Sequence, residues 1–337
     1  MATFKIVALS LFSMLLVLSL GLVALTAAPQ DLGKLPRSSV RIDGSSTVYP
    51  ITEAVAEDFS KVAPQVNVTI GMSGTGGGFK RFCVGEIDIS NASRSIKKTE
   101  ADHAAVAKIE FIELPIAYDG LTIVTHPSNT FVDRLTVDQI KKIFSATGGV
   151  KTWKDVNPAW PEKTITVFSP GTDSGTFDYF REVTVGKDGK MRSDMTVSED
   201  DNVLVTGVAG DPNAIGFFGC AYYFENKDKV RAIPIVNSKG AAVLPSHDTV
   251  TAGAYEPFSR PLFIYVNRKA ADRPEVDAFV RFYLEKAPKL AEEVGYIALP
   301  ESVYGTAMTN WKARRTGTQF LDASGNPVHG PVTTTYK

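Results

Sequence analysis

Ser169 to Phe180 reads S-P-G-T-D-S-G-T-F-D-Y-F. A β-rich run, Ile165 to Phe168, feeds into it, and an amphipathic helical pattern leaves it. Pro170 and Gly171 end the strand, and Asp173 or Ser174 caps the helix that follows. At such a junction the first N–H groups of the helix have no internal partner, and the positive end of the helix dipole lies behind them. Ser174 and Thr176 add hydroxyls, and Gly175 keeps side-chain bulk away. This is the chemistry of a small oxyanion site. On its own it is also what any capped helix start looks like.

The chain repeats the device. Val40-Arg41-Ile42 is a strand broken by Asp43-Gly44-Ser45-Ser46-Thr47, after which Ile51, Val55, Phe59 and Val62 recur at helical spacing. Val66, Val68 and Ile70 alternate as a strand. Gly71 to Gly78 turns the chain, and a short helix carries Phe79, Phe82 and Cys83. That glycine run lacks the Lys-Ser/Thr of a nucleotide loop, and Phe79 stands where a dinucleotide fingerprint needs its third glycine. Ile87 and Ile89 form a third strand ending in Asn91-Ala92-Ser93-Arg94, so Arg94 sits at a strand's carboxyl end, where ligands of open α/β sheets gather.

Further along, Ile109 to Leu114 reads as one strand and Leu121 to Val124 as a new one beyond Tyr118-Asp119-Gly120. Ala214 to Phe218 and Pro261 to Val266 are further strands. Pro274 starts a strong helix, and a second helix covers Pro288 to Val294. The segment from Thr316 is polar, contains Gly and Pro, and reads as a loose tail. Strands alternating with helices give an α/β fold.

The 337 residues suffice for two ordinary domains, and 44% hydrophobic with 22% charged residues describes a globular chain. No basic patch points to nucleic acid. Residues 1–28 carry a short basic start and an uncharged Leu/Val/Ala-rich run, a secretory signal or an N-terminal membrane anchor. Removing them takes away only Lys5 and leaves 35 basic against 37 acidic side chains, a charge of −2. A negative protein that captures an anion does so with local dipoles and hydrogen bonds. Cys83 and Cys220 both sit in apolar contexts and look like small buried residues, and a disulfide between them is possible on count alone. The two cysteines and four scattered histidines lack metal-ligand spacing, so no metal and no cofactor are expected.

Several motifs, in order, resemble the periplasmic phosphate-binding protein family, in the type often found in cyanobacteria. They are D-G-S-S-T-V-Y-P-I at Asp43 to Ile51, S-G-T-G-G-G-F-K-R-F at Ser73 to Phe82, D-I-S-N-A-S-R at Asp88 to Arg94, P-G-T-D-S-G-T-F-D-Y-F at Pro170 to Phe180, and G-D-P-N-A-I-G-F-F-G at Gly210 to Gly219. The resemblance spans Val40 to Arg315. It implies the exported substrate-binding component of an ABC phosphate importer, a monomer whose partners are inorganic phosphate and the permease subunits. It also implies a type II-like fold of two α/β lobes joined by a two-stranded hinge, with the ligand cleft between them. The chain divides accordingly into a leader (1–28), a linker (29–39), a first lobe (40–118 with 257–315), a second lobe (119–256) and a polar tail (316–337). Carried over by motif, the phosphate ligands are Ser46, Thr47, Ser73, Thr75 and Arg94 from the first lobe and Ser174, Gly175 and Thr176 from the second. The family's usual proton-accepting Asp is replaced by Arg94, and its usual Arg before the D-S-G-T loop by Pro170. The acceptor of the phosphate proton is therefore sought at Asp173 or Asp43.

Hydrogen bonds to a charged group contribute roughly 1.5–3 kcal/mol each, and a micromolar site needs about 8 kcal/mol net. Seven or eight such bonds leave a margin for lobe closure and dehydration of the ion. Other readings keep the fold but bind sulfate or molybdate, or make Ser174 the nucleophile of a serine hydrolase. The last needs a base, and His103, His126, His247 and His329 carry no motif around them. No enzymatic activity is expected.

Overall fold

The computed structural model describes residues 31–337 other than 173, 187 and 329. The leader expectation and Asp173 thus lie outside the described residues. Among the described residues twelve strands are present: β1 (Ser38–Gly44), β2 (Val66–Ile70), β3 (Ile89–Ala92), β4 (Phe111–Thr125), β5 (Leu135–Thr136), β6 (Thr166–Pro170), β7 (Thr196–Ser198), β8 (Ala214–Gly219), β9 (Arg231–Ala232), β10 (Ile235–Val236), β11 (Ala242–Val243) and β12 (Ser259–Asn267). The helices are α1 (Tyr49–Val62), α2 (Gly74–Phe82), α3 (Lys98–Val106), α4 (Val137–Phe144), α5 (Trp153–Val156), α6 (Gly175–Thr184), α7 (Asp201–Gly210), α8 (Cys220–Glu225), α9 (His247–Thr251), α10 (Pro274–Glu293), α11 (Glu301–Lys312) and α12 (Val332–Thr335).

Strand order is β2-β1-β3-β12-β4-β8-β6-β7, with β9 also on β4, and β11-β10-β5 form a small separate sheet. One strand joins the two halves. β4 pairs antiparallel with β12 from Phe111 to Gly120, then with β8 from Leu121 to Thr125. The sequence reading placed two strands here. The structure has one, all fifteen residues buried, whose partner changes at Gly120. The two-lobed architecture implied by the resemblance follows from this exchange. β1 is parallel to β2 and β3, and β6 is parallel to β7 and β8. Within each half, the turns that follow these parallel strands therefore emerge at one edge, where ligands of open α/β sheets bind.

Packing fixes the helices behind those turns. α1 buries Ile51, Val55 and Phe59, and Phe59 meets Phe279 of α10 edge to face at 5.3 Å. α2 buries Phe79 and Phe82, with Phe79 against Tyr265 of β12. The glycine run belongs mostly to this helix and not to a free turn. A Cβ on Gly78 would lie 2.5 Å from Gly44 Cα, so only glycine lets α2 settle on the end of β1. α6 is held by Phe180, stacked on Phe217 of β8 at 3.7 Å.

Two further expectations are corrected. Pro288 does not separate two helices: α10 runs through it, because Ala287, Leu290 and Ala291 bury the same face as Val280 and Leu284. Burial there outweighs the backbone hydrogen bond that proline removes. The tail is not loose either. Phe320, Val332 and Tyr336 are buried, Phe320 packs edge-on against Phe263, and the Tyr336 hydroxyl donates to the Glu113 carbonyl. Cys83 and Cys220 are buried free thiols. Burial pushes Cys83 up to about 11 and Cys220 up to about 12, so both are unreactive at neutral pH.

Candidate functional site

A cleft of about 640 Å³ lies where the turns after β1 and β3, the start of α2, the flank of α6 and the β4/β12 pair face one another. Of the residues read from the sequence, Ser46, Thr47, Thr75 and Arg94 line it. Ser73, Ser174, Gly175 and Thr176 do not reach its wall but stand at the starts of the helices that frame it.

The first half contributes a hydrogen-bonded frame. The Ser45 N–H donates to the Asn91 carbonyl at 3.0 Å, which ties the turn before α1 to β3. The Thr75 hydroxyl accepts from the Ser93 N–H at 3.1 Å and lies 3.0 Å from its hydroxyl, tying α2 to the same strand end. Asp43 is buried beneath both turns, and its carboxylate accepts from the backbone of Gly44 and Ser73 and pairs with Arg81. Burial opposes its ionisation, but these hydrogen bonds outweigh it and hold Asp43 below the usual carboxylate range. Asp43 does not line the cleft.

Arg94 lines the cleft with its charge already matched. Its two terminal nitrogens donate to both Glu100 oxygens at 2.8 and 2.7 Å, and one also donates to the Ser95 carbonyl. In the second half, the Ser174 hydroxyl accepts from the Thr176 N–H at 3.2 Å, the side-chain cap of α6. A Cβ built on Gly175 would lie 3.1 Å from Thr47 Cα and Oγ1, so the start of α6 rests directly on the turn before α1.

Sequence reading missed the residue at the centre of this junction. Arg260, on β12, is 15% exposed at its side chain. Its Nε and Nη2 both donate to Asp119 Oδ2 at 3.2 Å, Nη2 also donates to Thr47 Oγ1 at 3.2 Å, and the guanidinium lies 3.6 Å from the Tyr179 ring centroid. Burial raises Asp119 above the ordinary carboxylate value, against the pull of Arg260. Arg181 of α6 also lines the cleft and donates to Asp178 at 2.9 Å. All three cleft arginines are thus met by a carboxylate. Such a site attracts an anion through oriented donors and not through net charge.

A hydrolytic site is not built here from the described residues. Ser174 serves as a cap, and no described histidine lines the cleft, with His329 outside the described residues. No group of three or more His, Cys, Asp or Glu side chains among the described residues could hold a metal.

Residues 29–287 match the PBP superfamily domain. Protein SphX of Synechococcus elongatus is 49% identical over 309 residues, 91% of each chain. Phosphate-binding protein PstS of Staphylococcus aureus is 40% identical over 272 residues, 80% of this chain and 81% of that one. The crystal structure of a possible phosphate binding protein from Planctomyces limnophilus superposes with a TM-score of 0.81 at 44% identity, covering 83% of this chain and 99% of the other. A putative phosphate ABC transporter substrate-binding protein from Clostridium perfringens, solved with bound phosphate, gives 0.53 at 30% identity over 78% of this chain and 100% of the other. With that domain over most of its length and relatives this similar, the chain belongs to the PBP superfamily of substrate-binding proteins, in the phosphate-binding family of PstS and SphX.

Proposed function

We propose that this protein captures inorganic phosphate outside the cytoplasmic membrane and hands it to the permease of an ABC-type importer. The observation that carries this reading is the meeting of helix starts from both halves of the sheet, Gly175 against Thr47, at a cleft whose arginines are each offset by a carboxylate. The similarity to the phosphate-binding protein PstS and to the putative phosphate ABC transporter substrate-binding protein of Clostridium perfringens supports phosphate as the ligand and an ABC transporter as the destination. The ligands of the ion are Ser46, Thr47, Ser73, Thr75 and Arg94 on one side and Ser174, Gly175 and Thr176 on the other, the latter three mainly through the backbone N–H groups at the start of α6. The candidates to accept the proton of the ion are Asp173 and Asp43, and the Asp43 carboxylate is also engaged by Gly44, Ser73 and Arg81.

In this reading phosphate docks on one lobe, and the other supplies the remaining donors as the cleft shuts, which shifts the population toward the closed form. The first lobe is 40–118 with 257–315 and the second 119–256. The protein is an exported monomer, cleaved or held at the membrane by segment 1–28, and has no enzymatic activity. Calorimetric titration with phosphate, sulfate and arsenate tests this. Saturable binding of phosphate and arsenate with weak or no sulfate binding is expected. Preference for sulfate, or no heat with any of the three, would overturn it.

A further inference from the structure

We propose that Arg260 is a positioning residue of the phosphate site that acts through Thr47, fixing the hydroxyl so that its hydrogen points to the anion. This rests on the phosphate reading above.

A guanidinium has donors and no acceptor. The 3.2 Å contact from Arg260 Nη2 therefore makes Thr47 Oγ1 the acceptor, and the single hydroxyl hydrogen is left to be given elsewhere. Thr47 is 4% exposed and lines the cleft, so the open direction for that hydrogen is the cleft itself. The turn is pinned from its other side, where the Tyr296 hydroxyl donates to the Thr47 carbonyl at 2.6 Å.

Arg260 is itself over-determined. Two of its nitrogens converge on one oxygen of Asp119 on β4, and Tyr179 of α6 covers the face of the guanidinium. Tyr179 is held in turn by donating to the Pro257 carbonyl at 2.8 Å. The arginine thus touches the strand shared by both halves, the helix behind Gly175 and the turn carrying Thr47. An arginine–aspartate pair alone would be a structural pin. The third contact, onto a hydroxyl of the cleft wall, gives it a part in binding.

A double-mutant cycle on the full chain, read by calorimetry with inorganic phosphate, tests this. In the parent, Thr47→Val is expected to weaken binding about tenfold or more. In an Arg260→Gln background the same change is expected to cost less than about threefold, because the hydroxyl there is no longer oriented. Thr47→Ser retains the hydroxyl and is expected to retain the coupling to Arg260. Arg260→Gln leaves Asp119 without its cation, so a paired Asp119→Asn/Arg260→Gln variant carries the same cycle if the single change does not fold. Equal Thr47→Val penalties with and without Arg260 would overturn the inference while leaving the phosphate reading intact. Absence of phosphate binding by the parent would overturn both.

Discussion

Gly175 packs directly on Thr47 where the start of α6 meets the turn before α1: a Cβ on the glycine would lie 3.1 Å from both Cα and Oγ1 of the threonine. A Gly175→Val side chain therefore pushes the start of α6 away from the turn before α1. Gly175 is the first residue of α6, and the apolar face that holds the helix, Phe177 and Phe180, is untouched. The variant should keep a melting temperature close to the parent's while losing at least about a hundredfold in phosphate affinity, as several charge-assisted bonds go together. Small-angle scattering adds a second readout, with the parent contracting on phosphate addition and the variant not. A variant that binds and contracts normally would reduce this loop to a helix cap.

Arg94 and Glu100 form a two-pronged pair at 2.7 and 2.8 Å, with side-chain exposures of 25% and 17%. If Arg94 faces the anion, Glu100 subtracts from its pull. Glu100→Gln should then tighten phosphate binding several-fold, and Arg94→Ala should weaken it by about 1–3 kcal/mol. Titration of both variants decides the matter, since a purely structural pair would lower the melting temperature and leave phosphate affinity unchanged in both.

The three strand–turn–helix units were legible because each is local: apolar alternation, a Gly/Ser/Thr break and helical spacing lie within about twenty residues. Arg260 was not. It reads as one charge beside a proline in S-R-P-L-F, and its partners Asp119 and Thr47 are 141 and 213 residues away in sequence. The β4/β12 pairing sets Arg260 opposite Asp119, and the β1-β3-β12 order brings the turn carrying Thr47 to them. The tail misled for a related reason. Its composition is polar, and Phe320, Val332 and Tyr336 have no helical or strand period, so nothing local shows that the chain elsewhere offers them a surface.

Glu113 makes the docking of that tail sensitive to pH. Its carboxyl is buried on β4, where it accepts from Tyr265 and Thr318 hydroxyls at 2.8 and 2.6 Å and from the Gln319 N–H at 2.9 Å. Burial pushes it up to about 7, although these hydrogen bonds pull the other way. Between the unfolded value near 4.3 and about 7 the folded chain binds the extra proton, so this group's contribution falls as pH rises. The loss approaches about 4 kcal/mol well above pH 7. Melting temperatures between pH 5 and 8 should fall more steeply in the parent than in Glu113→Gln, whose amide resembles the protonated acid. Parallel curves for the two proteins would exclude this role.

The tail itself supplies the last test. Thr318 and Gln319 dock on Glu113, and the Val332 N–H donates to the Tyr118 hydroxyl, which donates in turn to the Thr251 carbonyl of α9. Phe320, Val332 and Tyr336 are 3%, 0% and 3% exposed. At about 1.5–3 kcal/mol for each buried large side chain, their removal amounts to roughly 5–9 kcal/mol, a large share of a typical domain's stability of about 5–15 kcal/mol. A chain ending at Arg315 also leaves the Glu113 carboxyl without two of its three donors. It should melt well below the parent or fail to fold, and Phe320→Ala and Tyr336→Ala should each cost about 3–5 kcal/mol by denaturant titration. A truncated chain with the parent's melting temperature would mean that these side chains contribute nothing where they lie. The packing of the segment against β4 and β12 argues the opposite, that 316–337 is a wall of the fold and, through Phe320 and Val328, of the cleft.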